Sequence, residues 1–135
     1  MENAERRQGD RIRLLLVDDE EGYVNTLAKR MARRNVEVSS ALSGAEAIKL
    51  LRQQEFDVAI LDLKMSDMDG IDVLRIFKMM DPKMPVIMVT GHGSERAARE
   101  GLASGAFDYL TKPCDLEELV KKIREACNKG GGESG

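Results

Sequence analysis

The sequence predicts an α/β protein: five βα units, (βα)5, forming a doubly wound, five-stranded parallel sheet. Three observations carry that prediction. Five short apolar runs start at residues 12, 36, 57, 85 and 107, so successive strand starts lie 21 to 28 residues apart, the length of one βα unit. Three of these runs are nearly continuous in apolar residues, which suits strands covered on both faces. Between the runs, apolar residues recur at i, i+3, i+4 and i+7, the spacing of an amphipathic helix.

Each element can be read in order. The first strand is "IRLLLV" (12–17), followed by a helical stripe of Val24, Leu27, Ala28 and Met31. The second is "VEVSSA" (36–41), followed by a shorter stripe of Ile48 and Leu51. The third, "DVAILD" (57–62), precedes Val73, Leu74, Phe77 and Met80. The fourth, "PVIMVT" (85–90), precedes a weakly amphipathic segment, Ser94–Ser104, whose apolar members are Ala97, Ala98 and Leu102. A helix so thinly anchored is a candidate for movement or partner contact. The fifth strand is "FDYL" (107–110), and Leu116, Leu119, Val120, Ile123 and Cys127 follow at helical spacing. Asp115 and Glu118 resemble a capping box opening this last helix. Residues 11–128 are therefore read as one domain, residues 1–10 as a flexible polar extension and residues 129–135 as a Gly-rich tail or linker. Only eight residues, 128–135, follow the last periodic position, too few for an output domain.

Composition narrows the function classes. Of 135 residues, 42% are hydrophobic and 33% charged, Trp is absent, and eight Met are available to fill an aliphatic core. A net charge of -3 argues against a protein dominated by contacts with a phosphate backbone, so no direct nucleic-acid binding is expected. No apolar run approaches the roughly 20 residues that cross a bilayer, and the N-terminus lacks the apolar stretch of a signal peptide. The expectation is a cytoplasmic protein with no membrane contact. Cys114 and Cys127 fit no metal-binding or redox spacing and are read as reduced thiols. The cluster Lys29, Arg30, Arg33 and Arg34 is read as a solvated helix face.

In a doubly wound sheet, ligands bind outside the carboxyl ends of the strands. The residues there are Asp18 and Asp19 after the first strand, Asp62 closing the third, Thr90 closing the fourth, and Lys112 just beyond the fifth. Singly, each has a structural explanation: an Asp caps a turn, a Thr favours a strand, a Lys is solvated. Together they bring three carboxylates, a hydroxyl and an amine to one edge. Clustered carboxylates need a counter-ion or must take up protons. An all-oxygen, highly charged site suits a hard cation such as Mg²⁺. A carboxylate beside such a cation can attack a phosphoryl group and form an aspartyl phosphate, with the Lys and the hydroxyl at the oxygens of the transferred group. Glu20 and Glu21 are assigned instead to the start of the next helix, where negative charge suits the dipole.

Four segments, "LLLVDDEE", "VAILDLKMSDMDG", "PVIMVTGHGS" and "DYLTKP", closely resemble the receiver domain of two-component response regulators, the CheY-like family. The resemblance spans roughly residues 11–128. It implies a flavodoxin-like, CheY-like sheet with strand order 2-1-3-4-5. It also implies that Asp62 is the phosphoacceptor and that Asp19, Asp62 and the main-chain carbonyl of Lys64 ligate Mg²⁺ (or Mn²⁺), with Asp18 in the same pocket. Thr90 and Lys112 would contact the phosphoryl group, Tyr109 would be the aromatic switch, and Lys112–Pro113 the cis peptide. The implied partners are a sensor histidine kinase or phosphotransfer protein, and a downstream effector or a receiver homodimer formed through the fourth helix, fifth strand and fifth helix. Lys64 and His92 occupy positions that tune the lifetime of the acyl phosphate, a role the dephosphorylation rates of Lys64→Ala and His92→Ala would report. The departure is Ser66, where the family commonly has Pro; its loss should loosen the loop.

Other readings fail on particular residues. An EF-hand loop with Gly70 at its sixth position would need acids at Met65 and Ile76. A haloacid-dehalogenase-type phosphatase needs a second acid where Lys64 stands. No P-loop motif occurs. A phosphorylation-independent interaction scaffold on the same fold remains as the alternative.

Overall fold

The computed structural model describes residues 11–91 and 95–132, apart from the side chains of residues 129–132. Ten elements alternate along the chain: β1 (Ile12–Val17), α1 (Glu21–Ala32), β2 (Val36–Ala41), α2 (Gly44–Gln53), β3 (Val58–Asp62), α3 (Gly70–Met80), β4 (Val86–Thr90), α4 (Glu95–Ala103), β5 (Asp108–Thr111) and α5 (Leu116–Gly132). All neighbouring strands are parallel, in the order β2-β1-β3-β4-β5. The (βα)5 architecture expected from the sequence is thus present, with strand boundaries displaced by at most one residue.

The burial of each strand follows its position. The central strands β3 and β4 are buried at every residue, as continuous apolar runs require when both faces are covered. At the edges, β2 exposes Glu37 and Ser40 and β5 exposes Thr111. Two cores result. On one face, Leu14, Leu16, Ile60, Ile87 and Val89 meet Val24, Leu27 and Met31 of α1 and Leu119, Val120 and Ile123 of α5. On the other, Leu15, Val17, Ala59, Leu61 and Met88 meet Ala47 of α2 and Ile71, Val73, Leu74 and Phe77 of α3.

Three helices differ from their sequence patterns. Met80, at the end of the α3 stripe, is 37% exposed, while Gly70 and Ile71 at the start are buried. In α4 the buried residues are Ala98 and Gly101, and Leu102 is 41% exposed. A Cβ at Gly101 would lie 1.9 Å from Met88 Sδ, so α4 seats on the sheet through the one residue without a side chain. Finally, α5 continues through Gly132, into the stretch the sequence reading gives to the tail. Gly weakens a helix by about 1 kcal/mol per residue relative to Ala, but does not forbid one. Among the described residues, no helix is long and apolar enough to cross a membrane.

Because all strands are parallel, the loops after β1, β3, β4 and β5 emerge at one edge. The switch in winding direction falls between β1 and β3, the strands that end at Asp18 and Asp62.

Candidate functional site

At that edge, Asp18, Asp19 and Asp62 each present a carboxylate oxygen within 4.8 Å of the others. Asp18 and Asp62 are buried and Asp19 is exposed, so the cluster opens to solvent on one side. Each buried acid is oriented by its own turn. Asp18 Oδ1 accepts the Glu20 N–H at 2.9 Å, and Asp62 Oδ1 accepts the Lys64 N–H at 3.0 Å. Their other oxygens both accept from Lys112 Nζ, at 2.9 Å for Asp18 and 3.2 Å for Asp62.

Lys112 therefore spans two strands from a third. Its backbone is fixed by a 2.7 Å hydrogen bond from its N–H to Thr90 O, and the Lys112–Pro113 peptide is cis. Its ammonium also reaches Glu20 Oε1 at 3.2 Å and lies 5.0 Å from the centroid of the Tyr23 ring. Glu20 stands at the helix start, as expected from the sequence, but its side chain has a further partner. Glu20 is at the α1 N-cap without a side-chain capping bond, and its carboxylate turns to Lys112 instead. The segment "DDEE" holds no local signal for that contact, since Lys112 lies 92 residues away.

The electrostatics are unbalanced. Three carboxylates, Asp18, Glu20 and Asp62, contact the Lys112 ammonium, and a fourth, Asp19, clusters with Asp18 and Asp62. Burial opposes the charge on Lys112, but the hydrogen bond to Asp18 and the charges of Asp62 and Asp18 outweigh it and raise its pKa. Asp62 shows the opposite balance. Burial pushes its carboxyl above the usual range, and Asp18 adds to the push, against the Lys64 N–H and Lys112. Excess negative charge with oxygen donors is the environment a hard divalent cation relieves, so these residues fit Mg²⁺.

The other predicted residues divide. Thr90 is buried at the end of β4, beside Thr111 in the β5 register. Tyr109 is half-buried, paired in register with Met88 and packed against the core that contains it. Lys64 is exposed and forms an antiparallel bridge with Asp69. His92 lies outside the described residues. Cys114 and Cys127 form no disulfide. Burial raises the pKa of Cys114, which shares a hydrogen bond with Tyr23, and burial pushes the Tyr23 hydroxyl to about 12.

Comparison with known proteins accords with this geometry. A family model described as the response regulator receiver domain matches residues 14–124. The transcriptional regulatory protein GlrR of Escherichia coli K12 is 39% identical over 113 residues, covering 84% of this chain and 26% of that protein. The chain thus spans about a quarter of the length of such curated relatives. Among solved structures, a CheY-like receiver domain protein from Methanospirillum hungatei JF-1 superposes with a TM-score of 0.85 at 29% identity, covering 90% of this chain and 97% of that one. A receiver domain protein from Clostridium thermocellum gives 0.84 at 33% identity, covering 87% and 95%. With the strand order of that fold and the matched span running from β1 into α5, this chain belongs to the response regulator receiver domain family of two-component signalling.

Proposed function

We propose that Asp62 accepts a phosphoryl group from the phosphohistidine of a sensor histidine kinase or phosphotransfer protein in the cytoplasm. The observation that carries this reading is the bridge of Lys112 Nζ between Asp18 and Asp62 inside the three-carboxylate cluster. A carboxylate oxygen of Asp62 forms the new O–P bond as the N–P bond of the donor breaks, and the electron pair stays on the imidazole nitrogen, which takes up a proton. Asp18, Asp19, Asp62 and the main-chain carbonyl of Lys64 would hold Mg²⁺ (or Mn²⁺). When bound, the cation supplies positive charge that offsets the crowded carboxylates and the incoming phosphoryl oxygens. Lys112, already carrying a stabilised positive charge, exchanges a carboxylate oxygen for a phosphoryl oxygen, and Thr90 donates its hydroxyl to another. The domain thus assists its own phosphorylation, and Lys64 and His92, by their places in the family's sequence pattern, tune how fast the acyl phosphate is hydrolysed.

The response is a population shift. Movement of Thr90 towards the phosphoryl group frees space for Tyr109, and the α4-β5-α5 surface changes for an effector or a second receiver. The thin seat of α4 supports this part of the reading. The similarity to GlrR, a transcriptional regulatory protein, points the output towards transcription.

The test is intact mass spectrometry after incubation with acetyl phosphate and Mg²⁺. A single phosphoryl adduct is expected in the wild type and none in Asp62→Asn. A wild type that takes no adduct overturns the phosphoacceptor reading in favour of an interaction scaffold.

A further inference from the structure

We infer that Asp67 is a positioning residue for the metal-binding edge: its carboxylate clamps the β3–α3 loop to the N-terminus of α2 and thereby fixes the Lys64 main chain relative to Asp62. The inference deepens the metal-dependent reading above and rests on it.

The N–H groups of the first turn of a helix have no partner inside the helix. In α2 the N–H groups of Gly44, Ala45, Glu46 and Ala47 all have partners. Ala47 N–H donates to Ser43 O at 3.1 Å. Glu46 N–H donates to the N-cap side chain, Ser43 Oγ, at 3.1 Å, and Glu46 Oε1 accepts the N–H of Leu42, the residue before the N-cap, at 2.8 Å. The two that remain, Gly44 and Ala45, donate to Asp67 Oδ1 at 3.0 Å and Oδ2 at 3.1 Å. Both oxygens of one side chain are thus spent on two donors from another part of the chain, which fixes its orientation as well as its distance. These donors favour the ionised form and hold the Asp67 carboxyl below its usual range.

Packing reinforces the clamp. A Cβ at Gly44 would lie 2.9 Å from Met68 Sδ, so the helix start sits hard against the residue after Asp67. The rest of the loop is tied on either side. Lys64 N–H is held by Asp62 Oδ1, Lys64 bridges to Asp69, and Asp69 Oδ1 caps α3 through the Ile71 N–H at 2.8 Å. A Cβ at Gly70 would come within 2.5 Å of Leu63 Cα, closing the loop on its own beginning. Lys64, whose carbonyl is the proposed ligand, lies between the Asp62 tether and the Asp67 clamp. Ser66 in place of Pro is expected to free this loop; the constraint comes instead from the residue after it, supplied by a different helix.

The test is a calorimetric Mg²⁺ titration of the full chain, with amide hydrogen exchange on the same samples. Asp67→Ala should weaken Mg²⁺ binding about tenfold, as loss of outer-shell support does, and speed exchange of the Lys64–Asp69 amides. Ser43→Ala removes a hydrogen bond from the same helix end but leaves the loop clamped, and should keep wild-type affinity. Wild-type affinity in Asp67→Ala overturns the inference. So does an equal loss in Ser43→Ala, which would assign the effect to α2 itself. If the wild type binds no Mg²⁺, the metal-dependent reading fails, while the exchange rates still decide whether Asp67 holds the loop.

Discussion

Helices α3 and α4 lie on the same face of the sheet, yet are held in different ways. α3 buries Ile71, Val73, Leu74 and Phe77, and its first turn is capped by Asp69. α4 buries only Ala98 and Gly101, and leaves Leu102 exposed. Burying a large apolar side chain contributes about 1.5–3 kcal/mol, so α3 is bound by several times the apolar burial of α4. In the proposed mechanism the β3–α3 junction, which carries Asp62, holds a metal geometry, and the β4–α4 junction, which carries Thr90, lets that residue move. The chain places its packing where position matters and withholds it where motion does.

The most forceful way to break this contrast is inside α3. Phe77 is fully buried, and Phe77→Ala should lower unfolding stability by about 3–5 kcal/mol, read by urea denaturation. On α4 the effect should be smaller and of a different kind. Gly101→Ala improves helix propensity, yet the new Cβ would meet Met88 Sδ, a side chain with no exposed surface. Overpacking of this sort costs about 1–3 kcal/mol. If Gly101→Ala is instead stabilising, α4 rides loosely enough over Met88 to absorb a methyl group, and its seat is weaker than its contacts suggest.

What the sequence made legible follows the same division. β1, β3 and β4 could be read because parallel strands covered on both faces are written as nearly unbroken apolar runs, β2 and β5 from their lengths and flanks, and the acids at the ends of β1 and β3 stand where such sheets bind ligands. The α3 stripe was visible because large apolar residues mark it. The α4 seat was legible only at Ala98, because a helix that approaches a sheet through Gly101 presents no hydrophobic signal there, and Leu102, its one large apolar residue, is exposed. Glu20 and Asp67 were missed for another reason. Their partners are Lys112, 92 residues away, and the Gly44 and Ala45 N–H groups, 23 and 22 residues away. Only the folded chain brings such pairs together. The Ser43 cap on the Glu46 N–H, by contrast, lies within four consecutive residues and was open to reading from the sequence.

The smallest effect should come from the polar link between the two helices. Arg75 on α3 reaches Glu100 on α4 at 3.5 Å, with both side chains about half exposed. An exposed pair of this kind is worth at most ~1 kcal/mol and is screened by salt. Arg75 also has Asp72 at 3.6 Å on its own helix, so Glu100→Ala leaves the arginine with a partner. Global stability should therefore barely change. The consequence should appear locally, as faster amide exchange along α4 with α3 unaffected, because α4 has few buried contacts to replace the lost one. The same change at high salt should be silent. Equal acceleration in both helices would show that α3 and α4 open as one unit, and the division between a fixed and a movable half would have to be drawn elsewhere.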